Sequence, residues 1–151
     1  MRIILASDHA GYGLKTEIAS FLSGRGFDVV DAGCGPGESV DYVDYAAKAA
    51  AALVRGDRDR DRAILFCGTG MGMALAANKF KGVRATPCWT VFTAEMSRKH
   101  NDANCLTLGG RVLTPAEAEA IVAVWLETSF EGGRHLRRVD KIRRLEDEHF
   151  K

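Results

Sequence analysis

Short apolar runs alternate with longer helix-type runs along the whole chain. The first apolar run, about Arg2 to Ser7, reads as a strand. A helix pattern follows from near Gly13 to Leu22 and is closed by Gly24 and Gly26. Phe27 to Asp31 gives a second strand. Residues Ala32 to Val40 carry three glycines and Pro36 and read as a loop. A second helix covers about Tyr42 to Val54 and stops before Gly56. The charged run Asp57-Arg-Asp-Arg-Asp-Arg62 reads as a solvated connection into a third strand, Ala63 to Phe66. Third helix, fourth strand and fourth helix are expected near Gly70–Asn78, Val83–Pro87 and Thr93–Lys99. Cys105 to Leu108 is the fifth strand. Thr114-Pro-Ala-Glu117 combines a Thr cap, Pro at the first helical position and Glu at the third, which starts a helix running to about Thr128. Glu131-Gly-Gly133 breaks it, and a basic helix runs from Arg134 to near Glu148.

This alternation predicts an α/β fold: a Rossmann-like, doubly wound three-layer sandwich with about five parallel strands. One domain spans residues 1–151, with the basic helix at its C-terminal side. In such folds ligands bind at the carboxyl ends of the strands, at the switch point of the strand order. The order 2-1-3-4-5 is expected, which places that point between strands one and three. Strand one ends in Asp8-His9 and strand three in Cys67, so an acid, an imidazole and a thiol should converge there.

Composition narrows the class. A chain of 151 residues, 46% hydrophobic and 27% charged, is long enough for one well-filled core. A net charge of +1 gives no bulk field for nucleic acid or for a membrane surface. No apolar run reaches the roughly 18 residues of a membrane span. The start turns polar too soon for a signal peptide, so a cytoplasmic protein is expected. Cys34, Cys67, Cys88 and Cys105 show no CxxC pair or zinc spacing, and are expected as reduced thiols with no metal site.

The chemistry is concentrated in Cys67-Gly-Thr-Gly-Met-Gly72. A strand delivers a thiol to a glycine loop at a helix N-terminus, where free N–H groups and the helix dipole favour negative charge. Such a setting favours a thiolate. The loop is not a dinucleotide fingerprint: counted from Gly68 or Gly70, the sixth position is Met73 or Leu75, and strand four lacks a terminal acid. No Gly-Lys-Ser/Thr closes it as a Walker loop. A cradle for an oxyanion or one phosphate remains. Arg134 and Arg138, four apart, share a helix face and can clamp a phosphate. The other cations of that helix read as a solvated face, and the acids Glu146, Asp147 and Glu148 argue against nucleic acid.

Taken together, these residues resemble the type B ribose-5-phosphate isomerases, within the wider sugar-phosphate isomerase family that includes galactose-6-phosphate isomerase subunits. The likeness runs from Ile3 to about Arg144. It rests on Ser7-Asp-His-Ala-Gly11 with Leu14-Lys15, Asp41-Tyr42, the glycine loop with Ala76-Ala-Asn-Lys79, and Gly82-Val-Arg-Ala85. Further along come Ser97-Arg98, His100-Asn-Asp102, Gly109-Gly-Arg-Val112 and Glu131-Gly-Gly-Arg-His135. The resemblance implies cofactor-free and metal-free aldose–ketose isomerisation of a phosphorylated sugar through an enediolate. Cys67 resembles the base that moves the proton between C1 and C2, and His100 the ring-opening acid/base, with Thr69 and Asp8 assisting. Asn101 and the N–H groups of Gly68, Thr69, Gly70, Met71 and Gly72 would hold the enediolate oxygens. His9, Arg111, Arg134 and Arg138 resemble the phosphate grip, and Tyr42 lines the sugar pocket. Some relatives use a Glu slightly later in the loop; here that place is Met73, which cannot take a proton.

His100 precedes strand five, whereas Asp8, His9 and Cys67 follow their strands, so within one chain it belongs at the other end of the sheet. The resemblance implies a homodimer in which His100 and Asn101 reach the neighbour's site; dimer versus tetramer stays open. Ribose 5-phosphate and ribulose 5-phosphate are the first substrates to expect. Erythrulose 4-phosphate, allose 6-phosphate and galactose 6-phosphate stay open, as does a non-catalytic sugar-phosphate-binding subunit. Trp89 lies in the segment least like the ribose enzymes, and either reshapes the pocket or packs on the surface.

Overall fold

A computed structural model describes residues 1–57 and 59–150. Arg58, in the middle of the charged connection, lies outside the described residues. Five strands form one parallel sheet: β1 (Arg2–Ser7), β2 (Asp28–Asp31), β3 (Arg62–Cys67), β4 (Ala85–Pro87) and β5 (Cys105–Gly109). Six helices accompany them among the described residues: α1 (Tyr12–Gly24), α2 (Tyr42–Arg55), α3 (Met71–Ala77), α4 (Val91–Asn101), α5 (Pro115–Glu127) and α6 (Arg134–His149).

The central strands are apolar on both faces, as a sheet covered by helices on both sides requires. Ile3, Leu5, Ile64, Phe66, Leu106 and Leu108 pack against α1, α4 and α5, where Ile18, Leu22 and the fully buried Trp125 fill the layer. Ile4, Ala6, Ala63, Leu65 and Cys67 face α2 and α3. That second layer is built largely of alanine, including Ala46, Ala49, Ala50, Ala74 and Ala77. Small side chains let α2 and α3 lie close to the strands. Alternation along β3 thus puts Cys67 on the α2–α3 side, as the last residue of its strand.

The strand order is β2-β1-β3-β5-β4, which corrects the expected 2-1-3-4-5. β5, not β4, pairs with β3, and β4 is the edge. The reason is in the strands themselves. β5 is five residues long and buried throughout, whereas β4 has three residues and ends in Pro87, which has no N–H to donate to a second neighbour. The switch point between β1 and β3 is unchanged. The correction matters for the site: Cys67 pairs in register with Gly109, so the Gly110-Arg111 segment leaves the sheet directly beside the glycine loop.

Helix starts follow local chemistry. The Thr114 hydroxyl accepts the Glu117 N–H, and the Glu117 carboxylate accepts the Thr114 N–H, forming the expected capping box. α4 begins earlier than expected because Thr90 and Thr93 make an equivalent reciprocal pair with Thr in place of Glu. α6 is different: only His135 and Val139 are buried along it. It lies against α4 and the N-terminal end of the sheet, where the Glu146 carboxylate accepts the Gly82 N–H at 3.0 Å.

Candidate active site

At the C-terminal end of the sheet, Cys67 is buried and its Sγ accepts the Gly70 N–H at 3.1 Å. The loop that presents this N–H is held from several sides. The Cys67 carbonyl accepts from Gly110 N–H at 2.8 Å and the Gly68 carbonyl from Arg111 N–H at 3.0 Å. The Thr107 hydroxyl donates to the Gly70 carbonyl at 2.7 Å. Gly70 caps α3 at φ +87°, a conformation in which a side chain would be strained. At Gly72 a Cβ would lie 2.7 Å from the Tyr42 ring, so the ring packs directly on the loop backbone.

One open cavity is lined by Asp8, His9, Tyr42, Cys67, Gly68, Thr69, Gly72 and Arg111, with Ala10 and Leu75 at its margin. The predicted convergence of Asp8, His9 and Cys67 is therefore met. Asp8 is buried and its carboxylate accepts the Gly11 N–H at 3.0 Å. His9 is exposed, and its Nδ1 accepts the Val40 N–H at 3.2 Å. That loop is anchored in turn by the buried Lys15, whose ammonium donates to both Asp31 oxygens at 2.7 and 2.8 Å and to the Cys34 carbonyl at 2.8 Å. The Thr69 hydroxyl accepts the Met71 N–H at 3.3 Å. Met71 is exposed beyond it, while Met73 is fully buried in the α2–α3 layer. Cys67 is thus the group of the loop able to accept a proton at this cavity.

His100, Asn101, Arg134 and Arg138 are not part of this cavity. They lie at the end of α4 and the start of α6, at the opposite end of the sheet. The His100 ring stacks on the buried His135, with centroids 4.1 Å apart and planes within 10°. Burial, and then the nearby His100 and Arg134, hold the His135 imidazole below its ordinary pKa. Arg134 and Arg138 are exposed on the first turns of α6, and the Arg138 guanidinium donates to the Arg134 carbonyl at 3.2 Å. The phosphate grip expected from His9, Arg111, Arg134 and Arg138 is therefore divided between the two ends.

Two features escape the sequence. The Trp89 indole N–H donates to the Thr69 carbonyl at 2.9 Å. Trp89 does not line the Cys67 cavity; it braces the glycine loop from β4's side. The stacking of His135 on His100 joins residues 35 positions apart and has no local signal beyond the Glu131–His135 spacing.

The chain matches the Ribose/Galactose Isomerase family model over residues 3–142. It is 44% identical over 145 residues to ribose-5-phosphate isomerase B of Escherichia coli, covering 96% of each chain. Among solved structures, ribose-5-phosphate isomerase B of Clostridium thermocellum superposes with a TM-score of 0.95 at 50% identity, over 99% of both chains. The Mycoplasma genitalium ribose-5-phosphate isomerase B, solved with bound ribulose 5-phosphate, gives 0.94 at 44% identity over 97% of both. The chain belongs to the ribose/galactose isomerase family.

Proposed function

We propose that this member of the ribose/galactose isomerase family interconverts ribose 5-phosphate and ribulose 5-phosphate through an enediolate. The observation that carries the chemistry is the Cys67 sulfur, held by the Gly70 N–H at 3.1 Å and opening on a cavity lined by loop backbone. The relative solved with ribulose 5-phosphate, at 44% identity over nearly the whole chain, supports the choice of sugar.

The proton next to a carbonyl is weakly acidic, so catalysis needs a base at the carbon and donors at the oxygen. Cys67 takes the proton from one of C1 and C2 and returns it to the other, while the hydroxyl proton passes between O1 and O2 in the enediolate, so that the carbonyl and the hydroxyl exchange places. As the carbanion forms, charge moves to the carbonyl oxygen, and loop N–H groups from Gly68 to Gly72, with Asn101, hold it. Losing one preorganised donor of this kind typically costs about 3 kcal/mol of barrier. The loop is fixed before substrate arrives, since its carbonyls are bonded to Gly110, Arg111, Thr107 and Trp89. The backbone that carries the donors is then already in place at the moment of reaction. Tyr42 lies along the sugar and Asp8 and Thr69 steady its hydroxyls. The phosphate gives binding energy remote from the reacting carbons, which positions them.

The sites are shared between two copies of the chain, a homodimer or a larger assembly of such pairs. His100 opens the sugar ring and Arg134 and Arg138 grip the phosphate, but all three lie at the far end of the sheet from Cys67. The same chain's groups cannot meet on one five-carbon substrate; a second copy supplies them. The enzyme works in the cytoplasm on a soluble phosphosugar.

Turnover measured in EDTA across pentose, tetrose and hexose phosphates tests the reading. A preference for ribose 5-phosphate is expected. Preference for another sugar phosphate would overturn the substrate, and binding without exchange of the C2 proton into solvent would overturn the reaction.

A further inference from the structure

Away from the Cys67 cavity, one group of side chains among the described residues has the donor set of a metal site: His100, Glu131 and His135. We propose that this group binds a zinc ion, and that zinc held there switches the isomerase off. The inhibitory half rests on the role given to His100 under Proposed function; the binding half does not.

The three donors come from three segments that the fold brings together. His100 sits in the last turn of α4 and His135 in the first turn of α6, with Glu131 on the connection between α5 and α6. The Glu131 N–H donates to the Lys99 carbonyl at 3.1 Å, which ties that connection to α4 one residue from His100. Gly132 and Gly133 both take positive φ, +65° and +53°, and the turn they make brings the Glu131 carboxylate round to His135. His135 Nε2 and Glu131 Oε2 are 3.5 Å apart. Two ligands on a tetrahedral zinc, with bonds of about 2.0–2.1 Å, are separated by roughly 3.4 Å. That pair is already at ligand spacing. Ligand atoms of all three residues lie within 4.8 Å of one another.

His100 must move to join them. Its ring lies face to face with His135, 4.1 Å away, and parallel rings aim their lone pairs side by side instead of at one point. Turning the half-buried His100 ring about its Cβ–Cγ bond breaks the stack and directs a nitrogen at the ion. Two imidazoles and a carboxylate select zinc or cobalt over magnesium or calcium, and three protein ligands leave a fourth position for water. The neighbouring cations work against the ion: Arg134 Nε donates to His135 Nε2 at 3.4 Å and must give way. The site therefore takes an exchangeable ion that the fold does not need. With its nitrogen on zinc, His100 has no lone pair left to accept a ring proton.

Calorimetry with zinc on the full-length protein, stripped with EDTA and desalted, tests this together with cobalt(II) absorption as a readout of four-coordinate geometry. One ion per chain is expected, with at least ten-fold weaker binding in both Glu131→Gln and His135→Asn. Turnover of the wild type should fall more than ten-fold at saturating zinc. Glu131→Gln should match wild-type turnover without zinc and keep it at that same zinc concentration. No zinc uptake by the wild type would overturn the proposal. So would equal binding and equal inhibition in the variants, which would put the ion on the Cys67 thiol instead. If the zinc-free enzyme turns over no phosphosugar, the isomerase reading falls, and calorimetry on the same three proteins still decides the site.

Discussion

The two ends of the sheet are held by different means. At the C-terminal end, around Cys67, the work is done by backbone groups. Glycine-loop carbonyls accept from Gly110, Arg111 and Thr107, and the Lys15–Asp31 ion pair sits at the outer margin. At the N-terminal end charged side chains pair with one another as well as with backbone groups. Arg2 pairs with Asp61 at 2.7 Å, and Asp102 is gripped by Arg84 at 2.9 Å and Arg98 at 3.0 Å. Backbone donors cannot swing, so they suit a site that must hold a developing oxyanion in one place. Long cationic side chains on a helix surface suit a site that reaches out to a phosphate. The difference teaches that the two halves of the proposed active site are built to different tolerances.

Removing the thiol tests the backbone end most severely. Cys67→Ala should lower kcat by at least a thousand-fold, the upper range for loss of an acid–base group, while phosphate binding by calorimetry stays within about three-fold. Retention of a tenth of the activity would end the assignment of Cys67 as the base. Next comes the joint between the ends. Verified heterodimers of a Cys67→Ala chain with a His100→Ala chain hold one site with both groups and one with neither. They should recover about half of wild-type turnover if acid–base roles are divided as proposed; no recovery would place both roles within one chain.

A smaller effect is expected at the brace. Trp89→Phe keeps the ring and removes the N–H bonded to the Thr69 carbonyl. One such bond is worth about 1 kcal/mol, so kcat should fall roughly five-fold with KM little changed. An equal rise in KM with unchanged kcat would make Trp89 a substrate contact. The smallest effect belongs to the ion-paired end. Burial pushes the Asp61 carboxyl up, but hydrogen bonds from the Asp57 N–H and from Arg2 outweigh it and hold its pKa below the usual value. A lowered folded-state pKa adds stability at pH above about 4 and loses it as pH falls through the lowered value. Asp61→Asn should cost about 1 kcal/mol at neutral pH by urea unfolding, and the gap to wild type should close in acid. A gap independent of pH would show that the carboxylate's charge is not what matters.

Much of this was legible in the residues. Apolar runs give the strands, and the rule that ligands sit at strand ends places Cys67 beside Asp8 and His9. What escaped depends on contacts between distant segments. Whether β4 or β5 sits next to β3 is a competition for a central position, decided by length and by Pro87, and the shortness of β4 shows only once it is paired. The bond from Trp89 to Thr69 spans 20 positions and leaves no periodic trace. The Thr90–Thr93 cap carries no usual sequence signature, because a Thr at the third helical position does the task usually given to Glu.

The two border strands have a consequence for how copies of this chain can meet. β4 offers three residues, the last of them a proline, and β2 offers four, of which Asp28 and Asp31 carry charge on exposed positions. Short, charged or proline-ended borders do not template a further strand. The sheet is a closed surface in practice, unable to grow by strand addition into a continuous ribbon or a fibre. Whatever number of copies associates, recognition between them falls to helices and loops, whose contacts can be revised by surface substitutions without disturbing the hydrogen-bond ladder beneath.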